Sequence, residues 1–187
     1  MVADSVRAVF LDRDGVINLD THHTFRIEEF QFLAGVFDAC RLLQAQNYRL
    51  IVITNQAGIA KGKYTEADFH RLNDWMIQQF AAQGVVIDAV YFCPHHPVNG
   101  LGDYLQSCAC RKPAPGMILQ AAREWQLDLA ASVLFGDKMS DLEAGWAAGI
   151  ETCFLLHAEG NSAVFAEKRA ILVGSLLKGT QILLRDA

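Results

Sequence analysis

The chain contains no run of 18 uncharged apolar residues, and its opening stretch, MVADSVRAVFLDRDG, is broken by Arg7 and Asp12. That excludes a membrane span. No secretory leader is expected, which makes the cytoplasm the expected location. Positive charge is in deficit, with 16 Lys and Arg against 21 Asp and Glu and a net charge of −5. A broad nucleic-acid surface does not fit that balance, although a few basic residues suffice to hold a small anion. There is no GxxxxGK[ST] phosphate loop, no internal repeat and no low-complexity tract. Five cysteines in 187 residues do not make a disulfide scaffold.

What is present is a globular composition, 52% hydrophobic and 20% charged. It predicts a single domain over residues 1–187, with a core large enough to fold without disulfides or metal. Short apolar runs occupy residues 6–11, 50–53, 85–92, 133–135 and 152–156, the first four ending at Asp12, Thr54-Asn55-Gln56, Cys93 and Gly136-Asp137. Such runs read as buried parallel strands. Residues 170–173 add an edge strand and 176–184 a short helix.

Helical spacing fills the intervals. Phe37, Cys40 and Leu43 form one stripe, and Phe69, Leu72, Met76 and Phe80 form another. Thr65 with Asp68 reads as a helix start, as does Ser140 with Glu143. Pro115 suits a first helical turn, and Gly149 a helix end. Alternating strands and helices predict an α/β fold with three layers, a Rossmann-like parallel sheet between helices. Ligands of such sheets bind where the strands end.

The polar residues at those ends suit phosphoryl chemistry. Asp12 and Asp14 follow the first strand, Thr54 and Asn55 end the second, and Asp137 follows the fourth. Two carboxylates repel a phosphate ester unless a cation is present, and an oxygen-only donor set calls for Mg²⁺. One carboxylate attacks phosphorus, and its neighbour protonates the leaving alcohol and then activates water. Asp12 is the expected nucleophile and Asp14 the acid/base. Thr54 and Asn55 are the expected donors to phosphoryl oxygens, and Lys112 the neutralising cation. Asp141 is left as a ligand, a water-orienting group or an indirect contributor. Taken singly, each of these is as well explained as a turn, a cap or a surface lysine. Their joint placement at three strand ends is not.

Residues 93–111 break the rhythm and lack periodicity, which a long loop in a compact domain must justify. Cys93, His95, Cys108 and Cys110 supply three thiolates and an imidazole, a tetrahedral Zn²⁺ set with no position left for water. Zinc would then be structural and staple a loop insertion over 93–110. His96 competes with His95 for the imidazole position. Cys40 and Cys153 sit in apolar contexts and read as packing residues. His22, His23, His70 and His157 read as surface or packing residues.

As a set, FLDRDG, ITNQ, RKP and GDKMSD resemble the haloacid dehalogenase-like phosphatases, in that family's order and over roughly residues 6–156. The resemblance implies Mg²⁺ bound by Asp12, Asp137 and the backbone carbonyl of Asp14. It also implies an aspartyl-phosphate on Asp12 and a capless, monomeric enzyme. DRDGVIN, ITNQAGIAKGKYTEADF, YFCPHHP and CACRKPAPGM are similar to the branch acting on the 7-phosphate of D-glycero-D-manno-heptose 1,7-bisphosphate. That branch implies a small phosphorylated sugar as substrate, zinc on Cys93, His95, Cys108 and Cys110, and a substrate-contacting Arg111. The segment DTHHTFRIEEF departs from the glycine-tyrosine pair that such enzymes often carry there. Histidinol-phosphate phosphatases share the core and the loop and give the alternative substrate. A catalytically silent interaction module is the alternative of another class, and four like-placed polar groups count against it.

Overall fold

The computed structural model describes residues 5–156 and 170–185; His157 lies outside them. Six parallel strands form one sheet in the order β3-β2-β1-β4-β5-β6. They are β1 (Ala8–Leu11), β2 (Arg49–Asn55), β3 (Ala89–Cys93), β4 (Val133–Gly136), β5 (Thr152–Leu156) and β6 (Ala170–Val173). The helices are α1 (Val36–Ala45), α2 (Ala57–Ala60), α3 (Glu66–Ala82), α4 (Gly116–Trp125), α5 (Met139–Ala148) and α6 (Leu176–Leu183).

The central strands are apolar on both faces because both faces are covered. Successive side chains point to opposite sides, so Val9 and Leu11 join one core while Ala8 and Phe10 join the other. The first core holds Ala39 and Leu43 of α1, Leu72, Met76 and Phe80 of α3, and Leu176 of α6. The second holds Met117, Ile118 and Ala121 of α4 with Leu142 and Ala144 of α5. This is the three-layer arrangement that the alternation predicts. Each large apolar side chain buried in it is worth about 1.5–3 kcal/mol relative to exposure.

Chain order sets where a ligand binds. From β1 the chain builds outward through β2 and β3, then returns to place β4 on the other side of β1. Crossovers diverge at the β1–β4 boundary, and a crevice opens there beyond the strand ends. Asp12 follows β1 and Asp137 follows β4, so the two motifs furthest apart in sequence face one another.

Three local expectations are corrected. The run 85–92 becomes a strand only from Ala89. Val85 and Ile87 are buried in the helix layer, and Asp88 instead accepts from the Leu50 N–H at 2.8 Å. The fifth helix begins at Met139 with Lys138 as its cap, rather than being capped at Ser140. There the Asp141 carboxylate accepts from the backbone N–H groups of Asp137 (3.2 Å) and Lys138 (2.9 Å). Pro115 stands one residue before α4. The Thr65 start is as expected, with its hydroxyl accepting from the Asp68 N–H at 3.1 Å. Among the described residues no helix is long and apolar enough to cross a membrane.

Candidate active site

A cavity of about 190 Å³ lies at the β1–β4 boundary and brings together Asp12, Asp14, Thr54, Asn55, Lys112 and Asp141. Asp12 is supplied by the first residue after β1, whose N–H still bonds the Phe135 carbonyl at 3.0 Å. The turn that follows needs Gly15, where φ is +91° and a Cβ would lie 2.3 Å from Asp137 Oδ2. Gly136 has the same purpose for Asp141, whose own Cβ would be 2.3 Å from one added at Gly136.

Lys112 Nζ is the positive centre. It lies 2.8 Å from Asp12 Oδ1 and 2.6 Å from Asp141 Oδ1, and donates to the Ile53 carbonyl at 3.0 Å. Burial works against its charge, yet Asp12 and Asp141 more than offset this and hold its pKa above that of an ordinary lysine. Burial pushes the Asp12 carboxyl well above the usual range, against the opposing pull of Lys112, with Asp141 and Asp137 pushing it further up. Burial also raises Asp137, with Lys138 opposing.

The Asn55 amide does not point freely into the cavity. It donates to the Lys112 carbonyl at 3.0 Å and accepts from the Lys112 N–H at 3.1 Å. It therefore clamps the backbone that carries the lysine. Asp14 accepts from Arg13 at 3.0 Å on both oxygens, from Asn18 at 2.9 Å and from Gln56 at 3.1 Å. Arg111 donates to the His95 carbonyl at 3.1 Å and does not line the cavity.

Oxygens of Asp12, Asp137 and Asp141 lie within 4.8 Å of one another, and Asp137 Oδ1 is buried without a hydrogen-bond partner. Lys112 faces Asp12 and Asp141, and Lys138 Nζ lies 3.4 Å from Asp137 Oδ2, so three carboxylates meet two lysines, and an oxygen donor set of this kind fits Mg²⁺. The second cluster is Cys93, His95, Cys108 and Cys110. Cys108 Sγ lies 3.5 Å from Cys93 Sγ and 3.2 Å from Cys110 Sγ, while His95 Nδ1 lies 3.8 and 3.6 Å from Cys93 and Cys110. Ligands about 2.0–2.3 Å from a tetrahedral zinc ion sit roughly 3.5–3.8 Å apart, so this cluster is close to that shape. His96 Nδ1 instead accepts the N–H groups of Val98 and Asn99, at 3.2 and 2.9 Å.

Several residues at the site carry no signal of their own in sequence. Arg13, between the two aspartates, is wholly buried. Gln56 directly follows the Thr54-Asn55 pair, and Tyr64 backs it. His22 and His23 line the mouth, His22 as an exposed surface residue and His23 half-buried, and both have positive φ, 59° and 85°. Lys138 closes the mouth by reaching Asp20 at 3.0 Å.

Residues 109–174 match the HAD-hydrolase-like family model. The chain is 46% identical over 168 residues to D-glycero-beta-D-manno-heptose-1,7-bisphosphate 7-phosphatase of Yersinia pestis, covering 87% of this chain and 89% of that one. It is 51% identical over 166 residues to the D-glycero-alpha-D-manno-heptose-1,7-bisphosphate 7-phosphatase of Burkholderia mallei, covering 89% and 88%. The crystal structure of the B. bronchiseptica D,D-heptose 1,7-bisphosphate phosphatase, complexed with magnesium and phosphate, superposes with a TM-score of 0.83. The identity is 32%, covering 97% of this chain and 100% of that one. With the fold, the strand-end carboxylates and these relatives in agreement, the chain belongs to the haloacid dehalogenase-like phosphatases, in the D-glycero-D-manno-heptose 1,7-bisphosphate 7-phosphatase family.

Proposed function

We propose that this chain removes the 7-phosphate from D-glycero-D-manno-heptose 1,7-bisphosphate, with Asp12 as nucleophile and Asp14 as proton carrier. The observation that carries the reading is the convergence of Asp12, Asp14, Thr54 and Lys112 on one cavity at the sheet's switch point. Asp12 Oδ attacks phosphorus as the bond from phosphorus to the sugar oxygen breaks, and Asp14 gives that oxygen its proton. Asp14 then takes a proton from water, the water oxygen attacks the aspartyl-phosphate, and inorganic phosphate leaves with Asp12 restored. Lys112 offsets the charge gathered on Asp12 and the transferring group. Thr54 donates to a phosphoryl oxygen, and Asn55 supports the site by holding Lys112 in place.

Mg²⁺ would be held by Asp12, Asp137 and the Asp14 carbonyl, and would supply the charge that lets an anionic ester approach carboxylates. Asp141 is occupied by Lys112 and two backbone N–H groups, so its contribution is to position them. Zinc on Cys93, His95, Cys108 and Cys110 would fix the 93–110 insertion of a single 1–187 domain and leave no open coordination position. Arg111 stands on that loop, where it would meet the distal phosphate or sugar hydroxyls.

The cavity is smaller than the roughly 300–1,000 Å³ of pockets that engulf a whole ligand. It takes the phosphorylated end of a sugar and leaves the rest at the mouth, which suits a capless enzyme; the chain is further proposed to act as a monomer in the cytoplasm. An amine substrate such as histidinol phosphate is less well served. The acidic group at the mouth, Asp20, is already engaged by Lys138.

The test is phosphate release with Mg²⁺ for both anomers of the heptose bisphosphate and for histidinol phosphate. A hundredfold higher kcat/KM for one heptose anomer corresponds to about 2.7 kcal/mol of transition-state discrimination and is the expected result. Preference for histidinol phosphate overturns the substrate and keeps the mechanism.

A further inference from the structure

Thr54 and Asp14 share a neighbour that the mechanism above does not use. Gln56 is 2% exposed, and every polar position of its amide is engaged. Nε2 lies 2.7 Å from Thr54 Oγ1 and 3.1 Å from Asp14 Oδ2. Oε1 accepts from the Tyr64 hydroxyl and faces Arg13 Nη2 at 3.4 Å. Chemistry forces this orientation. A guanidinium only donates, so the amide end facing Arg13 is the oxygen, which leaves the NH₂ to face Thr54 and Asp14.

The consequence falls on Thr54. Its hydroxyl carries one proton and already accepts one from Gln56, so that proton must be donated elsewhere. Among the described residues Thr54 makes no other side-chain hydrogen bond, and its side chain lines the cavity. We infer that Gln56 is a positioning residue that makes Thr54 an obligatory donor into the phosphoryl site while holding the Asp14 carboxylate, with Arg13 and Tyr64 fixing which way its amide points.

The inference rests on the proposed phosphoryl contact of Thr54, and the surroundings reinforce it. Tyr64 is pinned by stacking on Phe25, with ring centroids 5.1 Å apart and planes 9° apart. It fits only because residue 58 is glycine, since a Cβ there would lie 2.1 Å from the Tyr64 ring. Burial pushes the Tyr64 phenol up to about 12, so it keeps the proton that it donates to Gln56.

The experiment compares Thr54→Val, Gln56→Glu, Tyr64→Phe and the double variants. Each is assayed for kcat and KM on the heptose bisphosphate with Mg²⁺, for inhibition by orthovanadate and for thermal melting. A carboxylate at position 56 accepts the Thr54 proton and turns it away from the cavity. Gln56→Glu should therefore lose about tenfold or more in kcat and in orthovanadate affinity, at least matching Thr54→Val. Adding Thr54→Val to Gln56→Glu should then cost less than about twofold more, because the donor is already gone. Tyr64→Phe removes one of the two donors that hold the amide oxygen and so loosens the amide's orientation. It should lose roughly three- to tenfold with unchanged folding, and that loss should vanish in the Thr54→Val background, which keeps the question answerable if Gln56→Glu does not fold. Losses that multiply, or a Tyr64→Phe and Gln56→Glu pair as active as the native chain beside an impaired Thr54→Val, overturn the positioning role alone. An unimpaired Thr54→Val removes the phosphoryl contact itself, and the inference with it.

Discussion

Asp141 Oδ1 lies 2.6 Å from Lys112 Nζ, and each of the two side chains is 2% exposed. The other Asp141 oxygen takes the N–H groups of Asp137 and Lys138. One carboxylate thus ties the lysine that precedes α4 to the turn after β4, while the lysine also reaches Asp12 after β1. Asp141 is an organiser of three segments.

That arrangement ranks two substitutions. Lys112→Met leaves Asp12 and Asp141 buried without their cation, and should cost about 3–5 kcal/mol of stability together with nearly all turnover. Asp141→Asn keeps the Asp12 pairing and should cost less. Urea unfolding of both variants checks the order, and an Asp141→Asn variant as stable as the native chain would remove the organising role.

Much of this was legible in sequence because β-strands buried on both faces announce themselves as apolar runs, and a polar residue directly after such a run must sit at the sheet's edge. Asp12, Thr54 and Asp137 were placed that way. The sulphur cluster was legible because residues 93–111 had no other reason to hold three cysteines. Arg13, Gln56 and Tyr64 were not legible. Their importance comes from which end of an amide faces which donor, and that depends on contacts between β1, β2 and the segment before α3. The place of His22 and His23 at the mouth was not legible for the same reason, since a left-handed loop conformation has no periodic signature. The strand at 85–92 was overextended because Val85 and Ile87 are as apolar as strand residues, while their burial is against helices.

Gly15→Ala should damage the site more than its size implies. Its φ of +91° strains any L side chain, a cost of about 1–3 kcal/mol. The added methyl would also meet Asp137 Oδ2 at 2.3 Å. The carboxylate must move, so the Mg²⁺ concentration needed for half-maximal activity should rise about tenfold or more. A metal titration of activity measures this, and an unchanged midpoint would show that Asp137 is not a ligand.

Asp137 makes a pH-dependent contribution with a definite sign. Its folded pKa is raised above the ordinary value of 3.8 by burial. Such a group favours the fold fully below its unfolded pKa and loses that contribution as pH rises through the folded value. In Mg²⁺-free buffer with zinc retained, Asp137→Asn should therefore be more stable than the native chain at pH 8, by about 1 kcal/mol, with the gap closing toward pH 4. Adding Mg²⁺ should stabilise the native chain and leave the variant nearly unaffected. Urea midpoints across this grid check both statements, and a variant less stable at pH 8 would reverse the assigned sign.

The sulphur cluster predicts a metal content and a mechanical consequence. Protein purified without added metal should carry about one zinc per chain by atomic emission, and Cys110→Ser should lose it. Cys93 and Cys108 are 15 positions apart, and closing a loop of about that length by a cross-link is worth about 3 kcal/mol in the chain-entropy model. A loss of that order is expected in urea unfolding, with new protease cleavage within residues 93–110. Activity should also fall, because the loop leads directly into Arg111 and Lys112. The Asn55 clamp, with bonds of 3.0 and 3.1 Å to the Lys112 backbone, limits how far that lysine can be displaced. The activity loss should accordingly be partial, about tenfold, and should fall mainly on KM for the heptose bisphosphate through Arg111 rather than on kcat. Folded, fully active protein with less than about a tenth of an equivalent of zinc would show that the four residues pack without a metal.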